Sequence, residues 1–395
     1  MANESPFLLT KVECPICKTV NEFETVRVGA YTERERDTDF CPTEIQWRHP
    51  RYQAYNPLAF FTAVCSNCYY SREFTKSFKE WKSDTNFRTY RLKTVKEKHL
   101  DQLATADSVI KRIGEAVDMS RYPNESAILK LHLAIFDEQL ADHFSQLDLG
   151  RFYLRIGWVF RGLGKGDNPD QQFLGGLMLE IDNRCSITET ALKNFRDEVD
   201  VLDRHVMSHF EADQISSQLQ ARLAPFRERF RDELKAFRDP VEQVESRMES
   251  LNQLIAEYRA ASLGGEGTSG GGGFGQFESF AGFLLDLKKS WNGIVVNEQE
   301  ALRRAVNYYS EAFVEGRGIS AGNQQMQAAY LIAELSRRIG DFDGAKQYFN
   351  TTIKLGQEFV YQNRQDQSRT ALARKILELA MEQGRENMRA LKSAR

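Results

Sequence analysis

The sequence contains no long hydrophobic run. No uninterrupted apolar stretch approaches the roughly 20 residues that a membrane-spanning helix needs. Residues 1–6 lack a basic region, and the short apolar run after them is no signal-peptide core. The formal net charge is only −3, so the chain as a whole has no strong attraction to nucleic acid or anionic membrane. We therefore expect a cytoplasmic protein without a membrane partner, in which thiols stay reduced.

A recognisable catalytic motif is also missing. The glycines at 162–166 follow a predicted helix and not a strand, and the glycine run at 270–273 is not followed by the Lys-Ser/Thr pair of a phosphate-binding loop. The sequence thus gives no positive indication of an enzyme.

The clearest chemical signal is a set of two C-x-x-C pairs, Cys14 with Cys17 and Cys65 with Cys68. Each pair can place two sulfur atoms on one tight turn, and tetrahedral coordination of zinc takes two such turns facing each other. The spacing predicts a closed structural zinc site with these four ligands. Redox chemistry at the C-P-x-C pair is the competing interpretation, but it requires a strand–helix context that this region lacks.

The polar segment between the two pairs contains four side chains of chemical interest, namely Asp37, Asp39, Cys41 and His49. They could form a catalytic or accessory metal-binding loop. An Asp-x-Asp pair in a polar loop more often caps turns or pairs with nearby arginines, here Arg34 and Arg36.

Residues 71–98 combine aromatic and basic side chains. Phe74, Phe78 and Trp81 have the spacing of one helix face. Four of the basic residues are candidates for nucleic-acid contact: Lys76, Lys79, Arg88 and Arg91. Basic groups neutralise phosphate and aromatic rings stack on bases, so nucleic-acid binding is one interpretation. The solvated face of an amphipathic helix is the alternative that we favour, because the whole chain is slightly acidic.

A long helical pattern covers residues 170–262. Apolar residues recur at intervals of three and four from Leu219 to Tyr258, with one stutter, as in a coiled coil. Pro225 and Pro240 interrupt this seam, so we expect two or three helices or one kinked arm. The seam would pair either within an antiparallel hairpin or between two chains, giving self-association through 219–258.

The final third has the pattern of a tetratricopeptide-like repeat. Residues 327–335 predict one helix, residues 340–343 a turn, and residues 344–349 the start of a second helix. Small residues at the predicted crossing, Ala333 and Ala345, fit such a repeat, and neighbouring units must complete the stack. The helix at 149–163 is a candidate for an earlier unit.

These signals predict a mainly α fold with a small β-rich, zinc-ribbon-like module at the N-terminus. We divide the chain into five parts: the module at 1–75, a helical connector with the first tetratricopeptide-like helices at 76–169, an inserted arm at 170–262, a Gly-rich linker at 263–276 and a tetratricopeptide-like domain at 277–395.

The order of these motifs resembles one bacterial family, the uncharacterised domain-of-unknown-function family 2225. The resemblance rests on the C-P-x-C turn at Cys14, the R-x-x-D-F-like loop at residues 36–40, the C-x-x-C turn at Cys65 and the helical tail. It covers roughly the first 165 residues and the last hundred, with 170–290 as an addition. Lys18 and Tyr69 stand where ribbon turns usually carry Gly. The resemblance implies no activity.

The function that we expect is a non-catalytic scaffold or adaptor for protein–protein interaction, with a protein or peptide partner in the groove of the helical array. A nucleic-acid-binding or regulatory protein that uses the ribbon and the 71–98 stretch is the alternative. An enzyme that uses the loop with Asp37, Asp39, Cys41 and His49 is the third interpretation.

Overall fold

A computed structural model describes residues 5–49, 52, 55–120, 122–163, 169–210, 216–263, 277, 279–316 and 318–393. Contacts divide the chain into two units, Met1–Leu163 together with Ser269–Arg395, and Gly164–Thr268. The predicted linker at 263–276 lies almost entirely outside the described residues.

The N-terminal part of the first unit consists of three separate antiparallel hairpins. They are β1 (Phe7–Glu13) with β2 (Val20–Val26), β3 (Tyr31–Arg36) with β4 (Pro42–Trp47), and β5 (Thr62–Val64) with β6 (Ser71–Glu73). A short 3₁₀ helix, Pro57–Phe60, leads into β5. The first and third hairpins each carry one C-x-x-C turn at their tip. The β-rich N-terminal module is therefore confirmed.

Helices form the rest of the first unit. Before the arm come α1 (Lys76–Lys79), a π-helical turn (Phe87–Arg91), α2 (Leu92–Ala104), α3 (Val109–Ala116), α4 (Pro123–Gln139) and α5 (Gln146–Leu163). After it come α8 (Phe280–Ser290), α9 (Glu298–Glu315), α10 (Asn323–Arg338), α11 (Phe342–Gln362) and α12 (Gln367–Ser393). The prediction of a mainly α fold is confirmed. The helix predicted from residue 71 onward is wrong in its extent, because β6 occupies the start of that stretch and α1 ends at Lys79.

The core of the first unit joins helices that are far apart in the sequence. Helix α5 packs along α9, with Gly150 against the ring of Tyr309 and Gly157 against Leu302. A Cβ atom at Gly157 would lie 2.9 Å from a Leu302 methyl carbon, so the missing side chain lets the two helices approach closely. Helices α9, α10, α11 and α12 then pack successively on one another. The tetratricopeptide-like arrangement of these helices stays a prediction.

The second unit is an antiparallel helical hairpin of α6 (Pro169–Phe210) and α7 (Ser217–Leu263). Its cross-helix contacts run in opposite directions along the two helices: Glu189 with Asn252, Arg196 with Glu245, Asp200 and Asp203 with Arg238, and Phe210 with Phe226. Helices α6 and α7 therefore pair with each other within the chain. Two helices thus cover the stretch for which we expected two or three helices or one kinked arm. Pro225 and Pro240 both lie inside α7, so neither of them ends a helix.

Among the described residues, none of these helices combines the length and the apolar character that crossing a membrane requires.

Candidate metal centre and the acidic loop

The two C-x-x-C turns are built in the same way. In the first turn, the amide of Lys18 donates to the Cys14 carbonyl at 3.0 Å, and the Cys14 amide donates to the Thr19 carbonyl at 2.8 Å. In the second turn, the amide of Tyr69 donates to the Cys65 carbonyl at 2.9 Å, and the Cys65 amide donates to the Tyr70 carbonyl at 2.9 Å. The two hairpin tips thus form equivalent loops around their cysteines.

Lys18 and Tyr69 adopt the left-handed conformation in which glycine is usually found, with φ of +68° and +62°. Each side chain has contacts that help to hold this conformation. The Lys18 ammonium lies 4.2 Å from the centre of the Trp81 ring, and the Tyr69 ring lies against Gly114 of α3. The departures from glycine noted in the sequence therefore do not prevent the turns from forming.

The four cysteine sulfur atoms lie within 4.8 Å of one another. Between the turns, Cys14 Sγ is 3.7 Å from Cys68 Sγ, and Cys17 Sγ is 3.5 Å from Cys65 Sγ. Four sulfur atoms at about 2.3 Å from a tetrahedral zinc ion would be about 3.8 Å apart. The donor set and its spacing therefore fit such an ion, which would lock the two hairpin tips together.

The crowding of the thiols also matches a site for a cation. The thiols shift one another's pKa values in opposite directions. A hydrogen bond with Cys65 raises the pKa of Cys14, a hydrogen bond with Cys14 raises the pKa of Cys68, and a hydrogen bond with Cys14 lowers the pKa of Cys65. Without a cation, the four sulfur atoms cannot all ionise, since neighbouring thiolates repel each other. A bound cation removes this repulsion, because metal ligation favours the deprotonated thiolates.

Asn21 connects the two turns. Its side-chain oxygen accepts hydrogen bonds from the amide and the hydroxyl of Ser66, both at 2.8 Å, and its nitrogen donates to the Thr19 carbonyl and to Cys65 Sγ. Asn21 is only 6% exposed. One buried amide side chain thus fixes the relative position of the two turns, and a hydrogen bond to a ligating sulfur is typical of the outer layer of metal sites.

Two buried residues, His99 of α2 and Asp137 of α4, form hydrogen bonds with the backbone of the second turn and of β6. His99 Nε2 lies 2.9 Å from the Cys68 carbonyl, and its Nδ1 lies 2.6 Å from Asp137, whose other oxygen accepts from the Ser71 amide at 2.7 Å. Burial alone would lower the pKa of His99, but the Asp137 carboxylate outweighs it and raises this pKa above the usual value. The β-rich module is thereby connected to the helices.

The loop between β3 and β4 docks into a second polar site, on the helices. Arg161 of α5 donates to both oxygens of Asp39, at 3.0 and 2.6 Å, and to Asp37 at 3.0 Å. It also donates to Glu298 of α9 at 2.7 Å. Trp158 Nε1 donates to Asp39 at 3.2 Å. Asp39 is completely buried, so these donors take the place of water as the hydrogen-bond partners of its carboxylate.

Helix α10 binds the other side of this loop. Arg338 donates to Asp37 at 2.6 Å and to the Thr38 hydroxyl at 2.7 Å, and the Tyr330 hydroxyl donates to the Thr38 carbonyl at 2.7 Å. Glu334, also completely buried, accepts from Arg338 at 2.9 Å. Although burial opposes it, Arg338 lowers the pKa of Asp37. This network, which we call the acidic-loop network, ties the β3–β4 loop to α5, α9 and α10.

The four candidate residues of this loop have different surroundings. Asp37 and Asp39 contact the arginines of the helices, and the Cys41 amide donates to Asp39 at 3.2 Å. Cys41 itself is buried, 5% exposed. The His49 ring lies beside Tyr52, with ring centroids 6.4 Å apart. The expected local partners of the Asp pair are engaged elsewhere, since Arg36 binds Glu33 and Arg34 binds Glu44.

The four basic residues singled out in the 71–98 stretch all have partners within the protein. Arg91 pairs with Glu138, Lys76 lies 4.0 Å from Glu80, and Arg88 donates to the Lys82 carbonyl at 2.8 Å. The Lys79 ammonium lies 4.6 Å from the centre of the Phe74 ring. The aromatic residues Phe78, Trp81 and Phe87 are buried around the cysteine turns, and Tyr90 is exposed.

The fold and the site define a mainly helical protein with an N-terminal β-rich module, whose four cysteines lie close enough together to bind one metal ion. The chain belongs to the family described as an uncharacterised protein conserved in bacteria (DUF2225), whose model matches residues 7–257 and 284–377. The match reaches residue 257, so it includes most of the arm that the sequence analysis set apart as an addition. Comparisons with curated proteins and with solved structures gave no match.

Sequence reasoning missed Arg161, Arg338 and Glu334. Asp39 binds Arg161 from 122 positions away, Asp37 binds Arg338 from 301 positions away, and the Thr38 hydroxyl donates to Glu334 from 296 positions away. Nothing in the local pattern marks these residues as partners. Asn21 and His99 were missed as well. Asn21 lies four residues after Cys17, where an amide side chain can reach the opposite turn.

Proposed function

We propose that this protein is a non-catalytic scaffold that assembles through its helical arm, with the cysteine site as a structural zinc clamp and the cytoplasm as its compartment. The observation that carries the proposal is an apolar face of the α6–α7 hairpin. The partner that this face fits best is the same face of a second copy of the chain.

The two sides of the hairpin differ in chemistry. Ion pairs of Arg238 with Asp200 and Asp203, and of Arg196 with Glu245, flank one side of the seam. By helical spacing, seven large apolar side chains flank the other side, each 39–56% exposed: Phe195, Leu202, Leu219, Phe226, Phe237, Val244 and Leu251. We call this surface the arm face. A two-helix hairpin cannot cover it, so an apolar stripe of this length indicates an interaction surface.

The spacing of four α7 residues in the arm face is self-complementary. The five α7 residues lie within about 40° of one another around the helix, at 100° per residue. Leu219 and Leu251 lie 16 positions on either side of Lys235, and Phe226 and Val244 lie nine positions on either side of it. A two-fold axis through the arm face, level with residue 235, would therefore place Leu219 against Leu251 of the second copy and Phe226 against its Val244, as an isologous dimer requires.

The charges along α7 favour the same antiparallel arrangement. Residues 219–238 contain six basic and three acidic side chains, whereas residues 239–254 contain four acidic and one basic. Antiparallel pairing places the basic part of each α7 opposite the acidic part of the other. The arm face is ~50 Å long by helical rise and ~20 Å wide, so each copy would bury about 1,000 Å², which is near the ~800 Å² per partner of stable complexes.

The surroundings of the basic stretch support an assembly role over nucleic-acid binding. The candidate contacts Lys76, Lys79, Arg88 and Arg91 engage acidic, carbonyl or aromatic groups of the protein itself. The rings of Phe78 and Trp81 are buried and cannot stack on bases. A peptide partner in the groove of the helical array stays a further prediction of the scaffold proposal.

Sedimentation equilibrium of the full chain across a concentration series tests the proposal. We expect the unmodified protein to sediment as a dimer, and the Phe226→Glu/Val244→Glu variant to sediment as a monomer with an unchanged circular dichroism spectrum. The matched control is Val201→Glu, which places the same charge at an exposed apolar position of α6 outside the arm face. A monomeric unmodified protein, or a glutamate variant that remains dimeric, would contradict the proposal.

A further inference from the structure

The β-rich module contains a cavity that neither the cysteine site nor the arm uses. Its volume is about 350 Å³, within the range of pockets for small ligands. Apolar side chains form much of its wall, among them Phe23, Phe60 and Phe74. The cavity lies between the β1–β2 hairpin, the start of β5 and helix α4, and all of these elements belong to the first unit.

Two polar groups lie at the inner end of the cavity. The hydroxyl of Thr62 is buried and has no hydrogen-bond partner among the described residues, and Thr62 is 2% exposed. Lys130 of α4 donates to the Ala59 carbonyl through Nζ, and no described carboxylate forms an ion pair with it. An ammonium has three donors, so Lys130 retains donors for a ligand. A buried hydroxyl without a partner destabilises the fold unless something else binds it.

The outer end of the cavity has the opposite charge. Glu22 and Glu24 line it and are exposed, whereas the residues around Thr62 are buried. Burial lowers the pKa of Lys130 to about 8, and the Glu24 carboxylate opposes this shift, so the lysine stays mostly protonated at neutral pH. The cavity therefore presents a cation at its inner end, apolar walls along its length and carboxylates at its mouth.

We propose that this cavity binds a small zwitterion with an apolar body, of the size of an amino acid or a dipeptide. Its carboxylate accepts from Lys130 and from the Thr62 hydroxyl, its side chains contact the three phenylalanine rings, and its ammonium remains at the mouth beside Glu22 and Glu24. The arrangement gives the Thr62 hydroxyl a hydrogen-bond partner and Lys130 a carboxylate partner, which the described residues do not provide.

Isothermal titration of the full chain tests this with the dipeptide leucyl-phenylalanine as the probe. Amidation of the peptide carboxylate removes the partner of Lys130, and a hydrogen bond to a charged group corresponds to an affinity change of about 10- to 100-fold. We expect this loss for the amide, and a smaller loss for the N-acetyl peptide, because its amine lies at the exposed mouth.

Variants of the protein locate the site. Lys130→Met keeps the length of the side chain, and we expect it to weaken binding of the dipeptide as much as amidation does, with no added loss when both changes are combined. Thr62→Val, nearly equal in volume, is a second variant should Lys130→Met fail to fold, and we expect it to weaken binding several-fold. The matched control is Lys93→Met, at an exposed position of α2, with unchanged affinity.

Three results would overturn the proposal. They are no heat of binding with the dipeptide or with free phenylalanine, equal affinity for the peptide and its amide, and undiminished affinity of the Lys130→Met and Thr62→Val variants. In each of these cases Lys130 and Thr62 do not bind the carboxylate of a zwitterion, and water is the partner of Thr62.

Discussion

Replacing Asp39 by asparagine tests the acidic-loop network. The Asp39 carboxylate is fully buried and accepts from Arg161 through both oxygens, from Trp158 and from the Cys41 amide. Asparagine keeps the shape but removes the charge, and it leaves the Arg161 guanidinium with Asp37 and Glu298 as its remaining anionic partners. Breaking a buried ion pair on one side lowers the free energy of unfolding by about 3–5 kcal/mol. We expect Asp39→Asn to fall at the lower end of that range, because part of the network survives.

Urea denaturation followed by far-ultraviolet circular dichroism measures this change at constant zinc concentration. The matched control is Glu44→Gln in the same hairpin, where the partner Arg34 is 3.3 Å away and both side chains are at least half exposed, so we expect a change of about 0–1 kcal/mol. An Asp39→Asn protein within about 1 kcal/mol of the unmodified chain would refute the reasoning. Unchanged stability together with lost function in the cell would favour the catalytic interpretation of the loop.

Three further predictions concern the metal site and the core. The unmodified protein, purified under reducing conditions, should contain one zinc ion per chain by elemental analysis, and Cys68→Ser should lose most of it; a full complement in the variant would contradict the four-thiolate site. Gly114→Ala should lower the free energy of unfolding by about 1–3 kcal/mol and weaken metal retention, because its Cβ would lie 2.2 Å from the Tyr69 ring. The control is Gly162→Ala, whose Cβ would have no described atom within 4 Å, and this variant should be neutral or stabilising. Burial lowers the pKa of His132 to about 3, so below about pH 6.5 only the unfolded chain takes up a proton at this residue. The free energy of unfolding should therefore fall by about 1.4 kcal/mol between pH 7.5 and 5.5 because of this group. Denaturation at both pH values should show that His132→Gln removes this part of the pH dependence; an unchanged slope would contradict it.

Local spacing was enough to predict the elements around the cysteines. Two C-x-x-C pairs imply two turns that face each other, and the structure brings the four sulfur atoms together. The helical periodicity likewise predicted the mainly α fold, because the apolar stripe of a helix is formed by residues three and four positions apart in the sequence. The positions of Lys18 and Tyr69 were recognised from the sequence, but the contacts that hold them in the left-handed conformation were not.

The sequence did not reveal which residues bind each other across long distances in the chain. The Asp37 and Asp39 pair looked like a local turn, yet Arg161 and Arg338 reach it from helices 122 and 301 positions away. The sequence also did not show that the two helices of the arm pair with each other, since the same apolar pattern fits a partner helix in the same chain or in another chain. Pro225 and Pro240 were overestimated as helix breakers, because packing against α6 outweighs the loss of single backbone hydrogen bonds.

The most direct test of the proposed assembly is a disulfide bond between two arms. In the antiparallel register centred on Lys235, position 226 of one copy faces position 244 of the other, while within one helix the two positions are ~27 Å apart. A Phe226→Cys/Val244→Cys double variant, oxidised mildly and analysed on a non-reducing gel, should therefore give a covalent dimer, and each single variant should give none. A covalent dimer from either single variant would contradict the register, and its absence from the double variant would contradict the arm face as the interface.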